Sequence, residues 1–158
     1  HSGESGKWDE HVAREIGANT INGKFAPYYL KLNISGVKFD IQHHGPSIGK
    51  YEWTRENVAR QYAKAVVSGY MRRGEQPPSV IVRSHVHKAI ITMVRFMNHD
   101  VLMCVTPCFE WRTSFGYRVA TLDDIADIGG LWIRVKDEKI LDYGLDMLEL
   151  SQNPTVSV

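Results

Sequence analysis

Of the seven histidines in the sequence, four fall in two tight groups, Gln42-His43-His44-Gly45 and Ser84-His85-Val86-His87. Imidazole is a common metal ligand and moves protons near neutral pH. In His85-Val86-His87 the spacing is the physical point. Two residues apart on an extended chain, both imidazoles project to the same side. They can then approach one metal ion, or one each of two adjacent ions, at ~2.0–2.1 Å. The same spacing would also serve two surface histidines in a loop between strands. Each group directly follows a predicted strand, and strand ends are where sheet-based folds gather ligands. A ligand anchored there is held rigidly, as a metal site requires.

The elements that must position these groups follow from periodicity. Trp8, Val12 and Ile16 recur every four residues, which predicts an amphipathic helix over 6–16 after Ser5 as cap, ended by Gly17-Ala18-Asn19. Strands are expected over 28–34 and 37–42, joined by the two-residue turn Ser35-Gly36. In the second strand Val37, Phe39 and Ile41 share one face, with Lys38, Asp40 and Gln42 on the other. A longer helix follows Thr54 as cap. Its buried stripe is expected to be Val58, Tyr62, Ala65, Val66, Gly69 and Tyr70, and Arg72-Arg73-Gly74 closes it. Strands over 79–83, 89–96, 101–105, 130–135 and 140–148 complete two helices and seven strands. Hairpin neighbours make part of the sheet antiparallel, with helices covering it, a mixed α/β (α+β) layered fold.

With 158 residues, 43% hydrophobic and 23% charged, the chain suits one globular domain spanning residues 1–158. A net charge of +1 demands no polyelectrolyte partner. Apolar runs are strand-sized, short of the ~18 residues that suggest a membrane span. The polar N-terminus lacks the apolar core of a signal peptide. Cys104 and Cys108 form no CxxC pair, and as reduced structural thiols they fit a cytoplasmic protein.

The order strand-His-His-Gly, helix, strand-Ser-His-x-His resembles the late motifs of the calcineurin-like metallophosphoesterases. These are a strand ending in His and then a strand ending in Gly-His-x-His. Phage and prophage members are the most similar, through His43-His44-Gly45 and Thr106-Pro107-Cys108-Phe109. The resemblance implies a four-layer αββα sandwich with mixed sheets. It also implies two divalent metal ions (Mn, Zn or Fe) at the strand ends. On this resemblance His43 is the lone metal-ligand His, with His44 the less favoured choice, and His85 and His87 are the paired ligands. Ser84 departs from the family's Gly. His1 matches the general-acid His of the Asn-His-Asp motif, although Ser2 stands where Asp belongs. The family's Asp-x-His and Gly-Asp motifs would precede residue 1. The chain is therefore expected to be the C-terminal part of the domain, completed by its N-terminal half or a partner chain. A phage-encoded protein would work in the host cytoplasm.

The implied reaction is hydrolysis of a phosphomonoester or phosphodiester, with nucleic acid among the candidate substrates, by metal-activated water in line with the leaving oxygen. The alternatives are a non-catalytic metal- or nucleic-acid-binding module, and an inactive remnant needing a partner chain. In residues 111–118 aromatics interleave with Arg112 and Arg118; a surface loop with amphipathic anchors is the plainer reading, and if the site acts on nucleic acid these arginines are the candidates for substrate contact. Met97-Asn98-His99-Asp100 imitates Asn-His-Asp but follows Ser-His-x-His instead of preceding it, and is expected to be a hairpin turn.

Overall fold

A computed structural model describes residues 7–48, 51–109 and 126–148. In chain order these form α1 (Lys7–Glu15), β1 (Tyr29–Ile34), β2 (Val37–Gln42), α2 (Glu52–Arg72), β3 (Val80–Arg83), β4 (Ile90–Phe96), β5 (His99–Val105), β6 (Gly129–Lys136) and β7 (Lys139–Met147). Five strands make a mixed sheet in the order β1-β2-β3-β5-β4, and β6-β7 form a second sheet of two. Strands β2, β3 and β5 run parallel, while β1 and β4 pair antiparallel at the edges. Thus β2-α2-β3 is a crossover unit that brings the carboxyl ends of β2 and β3 side by side.

Three layers stack through the described residues. On one face of the large sheet, Ile81, Ile90, Val94, Val101, Met103 and Val105 pack against Ala59, Ala63 and Val67 of α2. On the other, Val37, Phe39, Val80, Leu102 and Cys104 meet Leu131, Ile133, Val135 and Ile140 of the β6-β7 hairpin. Strand alternation divides the residues between the two faces. The fold is mixed α/β with a mixed sheet and two helices, as the patterning predicts.

All three hairpins turn on two residues at positive φ, Ser35-Gly36, Met97-Asn98 and Asp137-Glu138. This is the turn geometry that matches strand twist. Met97-Asn98 is therefore a turn, and His99 and Asp100 already belong to β5. The end of α1 is also as expected. Gly17 sits at φ +75° with its N–H on Arg14 O, and Ala18 donates to Ala13 O.

Three expectations are corrected. Tyr51, not Thr54, precedes the first turn of α2, and the Thr54 hydroxyl donates back to Tyr51 O at 2.8 Å. The buried stripe of α2 is Ala59, Ala63, Val67 and Tyr70, and Ala65 is exposed. Two alanines one turn apart let the helix axis approach the sheet, which rotates the buried face away from Val58. Val12 of α1 and Ile16, just after it, are 51% and 76% exposed, so these two residues of the predicted apolar stripe are not buried. Ser5, the expected cap of α1, lies outside the described residues. No helix among the described residues is long and apolar enough to cross a membrane.

His99 is half-buried, and its Nε2 lies 2.8 Å from Pro78 O, tying β5 to the segment before β3. His99→Asn should cost about 1 kcal/mol, the size of one lost hydrogen bond. Metal content should not change. Denaturant melts and metal analysis check both, and loss of an ion would place His99 in the site.

Candidate metal centre

The centre is built where β2 and β3 end together. Gln42 pairs with Arg83 across these strands, and the next residues carry the chain out of the sheet. His43 N–H donates to Tyr28 O at 3.3 Å, and Ser84 N–H donates to His43 O at 3.1 Å, so the two exits are laced together. Thr106, the first residue after β5, donates its N–H to Arg83 O at 2.8 Å and its hydroxyl to Ser84 Oγ at 2.9 Å. Ser84 thus has a use for its hydroxyl and does not sit at positive φ, so glycine is not needed there.

After Ser84 the backbone turns sharply. Val86 N–H donates to Ser84 O at 3.0 Å around His85 at φ +78°, and His87 follows at φ +55°. The first is a γ-turn of the strained, positive-φ kind. The expected extended His-x-His is therefore absent, and the two rings do not project together from one strand face. Asp127 clamps the bend, its N–H donating to His87 O at 2.9 Å and its Oδ2 accepting from Ala89 N–H at 2.7 Å.

The bend brings His85 to His43 and His44. Their ligand nitrogens all lie within 4.8 Å of one another, and the ring centroids are 4.6–5.1 Å apart. His43 Nε2 stands 3.2 Å from His85 Nδ1. Two nitrogens each ~2.0–2.1 Å from one tetrahedral ion would be separated by roughly 3.4 Å, so the pair fits a shared ion. His87 lines the same cavity, of about 440 Å³, with His43, Ser84, His85, Thr106 and Cys108, but stands outside the close trio. The resemblance made His43 the lone ligand in preference to His44 and paired His85 with His87, whereas the close group is His43, His44 and His85. His1, Arg112 and Arg118 lie outside the described residues.

Desolvation, and then the neighbouring imidazoles, hold the pKa values of His43 and His85 below the ordinary histidine range. Both rings are therefore neutral near pH 7, the form that binds metal. Cys104 is buried under the β6-β7 sheet, and desolvation pushes its thiol up to about 12. Cys108 is half-buried at the cavity wall, its thiol 3.5 Å from Asp127 O.

Gly45 explains the end of His-His-Gly. A Cβ there would stand 2.7 Å from Arg83 Cβ and 3.2 Å from Arg83 Cγ. The histidine loop thus lies directly on the Arg83 stem, and Arg83 is anchored beneath it by Asp40 at 2.8 Å, with both side chains almost wholly buried.

Among solved structures, the chain is similar to the Thermotoga maritima protein TM1076, with 13% identity over 77% of this chain and 55% of that one, TM-score 0.37. It is also similar to Vps29 of Entamoeba histolytica. A single mutant of Vps29 is 10% identical over 85% of this chain and 66% of that one, TM-score 0.43. The wild type complexed with zinc is 10% identical over 76% and 59%, TM-score 0.41. This chain thus spans 55–66% of the lengths of these structures. No family profile matches the chain, and no curated protein does.

Gly45→Ala must push the histidine loop off Arg83. It should cost about 1–3 kcal/mol, as overpacking does, and weaken metal binding with it. An alanine variant unchanged in both melt and metal titration would refute the close approach. His85→Gly should be about 1 kcal/mol more stable than His85→Ala, because glycine removes the left-handed strain. Equal melts would show that the bend carries none.

Proposed function

We propose that this chain is a metal-dependent phosphoesterase, hydrolysing a phosphomonoester or phosphodiester at the histidine cavity. The observation that carries the reading is the convergence of His43, His44 and His85 at the carboxyl ends of parallel strands beside an open cavity. Sites of this kind combine three protein ligands with a position left for water or substrate.

A divalent ion bound there would supply Lewis acidity towards a phosphoryl oxygen and acidify a coordinated water. The remaining work falls to the chain's own residues. His43, His44 and His85 would hold the ion through one ring nitrogen each. The Ser84 hydroxyl accepts from Thr106 and keeps its own proton to donate to a phosphoryl oxygen in the cavity. His87, in the same wall, is available to protonate the leaving oxygen. The motif resemblance also implies a metal site at His43 and His85, although it makes His87 a ligand and His1 the general acid.

One observation favours a second reading, a non-catalytic metal-binding module. Among the described residues no carboxylate lines the cavity, whereas a two-ion clamp holds its ions ~3.5–4 Å apart, a spacing normally set by a bridging ligand.

The test is hydrolysis of a nitrophenyl phosphodiester and monoester by the chain, with Zn²⁺, Co²⁺, Mn²⁺ or Mg²⁺ added. Turnover should fall by at least roughly 100-fold in His85→Ala and His44→Ala, since even outer-sphere changes at metal sites cost 10–100-fold. Metal binding with no turnover on either substrate would decide for the non-catalytic reading.

A further inference from the structure

We infer that the centre formed by this chain is a one-ion site of three imidazoles, built for Zn²⁺-class ions and selective against Mg²⁺ and Mn²⁺. The inference rests on the reading of the histidine cluster as a metal centre and sharpens it in two respects, how many ions it holds and which kind.

Donor chemistry decides the kind. Every ligand atom in the close group is an imidazole nitrogen. The polar side chains in the described cavity wall beyond the trio are Ser84, His87, Thr106 and Cys108. Nitrogen and sulfur donors suit zinc, cobalt, nickel and copper, whereas magnesium and manganese prefer carboxylate, carbonyl and water oxygens. Among the described residues, two carboxylates make other contacts. Asp127 spends Oδ2 on the Ala89 amide. Asp40 lies buried beneath the loop, held by Arg83, Tyr70 and Tyr29. Asp9 of α1 influences His43 electrostatically, but its oxygens do not join the group of atoms within 4.8 Å.

Geometry decides the number. His43 Nε2 and His85 Nδ1 lie at hydrogen-bonding distance, 3.2 Å, so one ring donates to the other until an ion displaces that proton, and the separation is short enough for both to serve one ion. The roughly 3.4 Å expected across a tetrahedral ion agrees with it, and His44 supplies the third corner. His44 is the distinguishing residue. A two-ion centre built on His43, His85 and His87 would have no use for it, whereas the three-imidazole centre cannot form without it. His44 is exposed, so replacing it leaves the core untouched.

The experiment is calorimetric titration of the metal-free chain with Zn²⁺, Co²⁺, Mn²⁺ and Mg²⁺, beside His44→Ala and His87→Ala variants. One Zn²⁺ per chain is expected, bound at least roughly 100-fold more tightly than Mn²⁺, as the ligand preferences imply. Co²⁺ should give the intense visible absorption of four-coordinate cobalt. His44→Ala should lose the high-affinity site and the cobalt spectrum, and His87→Ala should keep both. Two ions per chain, Mn²⁺ bound as well as Zn²⁺, or unaltered Zn²⁺ binding in His44→Ala would overturn the inference. Circular dichroism of each variant separates lost ligands from lost fold. One Zn²⁺ bound without phosphoester turnover would sink the proposed hydrolysis and leave this inference standing. Turnover supported by two Mn²⁺ would do the reverse.

Discussion

Asp40 on β2 and Arg83 on β3 are a charged pair with side chains only 3% and 2% exposed, and the arrangement above them depends on how that burial is satisfied. Taking two charges out of water costs several kcal/mol per ion unless geometry and further hydrogen bonds compensate. Here they do. Arg83 donates Nη1 to the carbonyls of Asp40 and Val82, both at 2.9 Å, and Nε to Tyr62 Oη at 2.9 Å. Asp40 Oδ2 accepts from Tyr70 at 2.7 Å and Tyr29 at 3.1 Å, while Oδ1 keeps its charge contact with Arg83 Nη2 without a hydrogen bond. Desolvation drives the Tyr70 hydroxyl far above its ordinary pKa, so it remains a donor throughout the working range. Four elements, β1, β2, α2 and β3, are thereby pinned at one point.

That point lies just under the histidines. Arg83 is the last residue of β3, and its stem is the floor on which Gly45 rests. A side chain at position 45 or a differently placed arginine would move His43 and His44 relative to His85. The buried pair therefore sets register between the two strand exits as well as filling the space beneath α2. The crossover β2-α2-β3 explains why those exits are adjacent at all, since parallel neighbours end at the same edge of the sheet. The β6-β7 hairpin closes one side of the cavity through Gly129, Gly130 and Leu131, and Phe109 lies over Gly130.

Much of this was legible in the sequence, for local reasons. Alternation marks β2 at its observed bounds, and Ser35-Gly36 and Met97-Asn98 announce their turns. Strand-then-histidine predicts where His43 and His85 meet. Other features depend on contacts distant in sequence. Lys38, Asp40 and Gln42 read as the polar face of a strand, yet α2 covers that face and Asp40 is buried under it. Nothing near Arg83 announces its partner forty-three residues earlier. The positive φ at His85 has no glycine to signal it, so nothing in the sequence shows that the chain bends there and leaves His87 outside the close group. The α2 stripe was misjudged because two alanines look weakly apolar in sequence but decide how closely a helix can approach a sheet.

The strain at His85 and the closeness of the three rings belong together. A non-glycine residue in the left-handed region costs of the order of 1–3 kcal/mol and persists only where its surroundings over-determine it. Here the surroundings are the Ser84–Thr106 and Ser84–His43 bonds on one side and the Asp127 clamp on the other. Between those anchors the chain must bend, and the bend delivers Nδ1 of His85 to 3.2 Å from Nε2 of His43. Protonated rings so close would repel, and the depressed pKa values of His43 and His85 keep them neutral instead. Rings already held together by the fold have less ordering left to lose in any interaction they make as a group, which is how a rigid scaffold turns backbone strain into preorganisation.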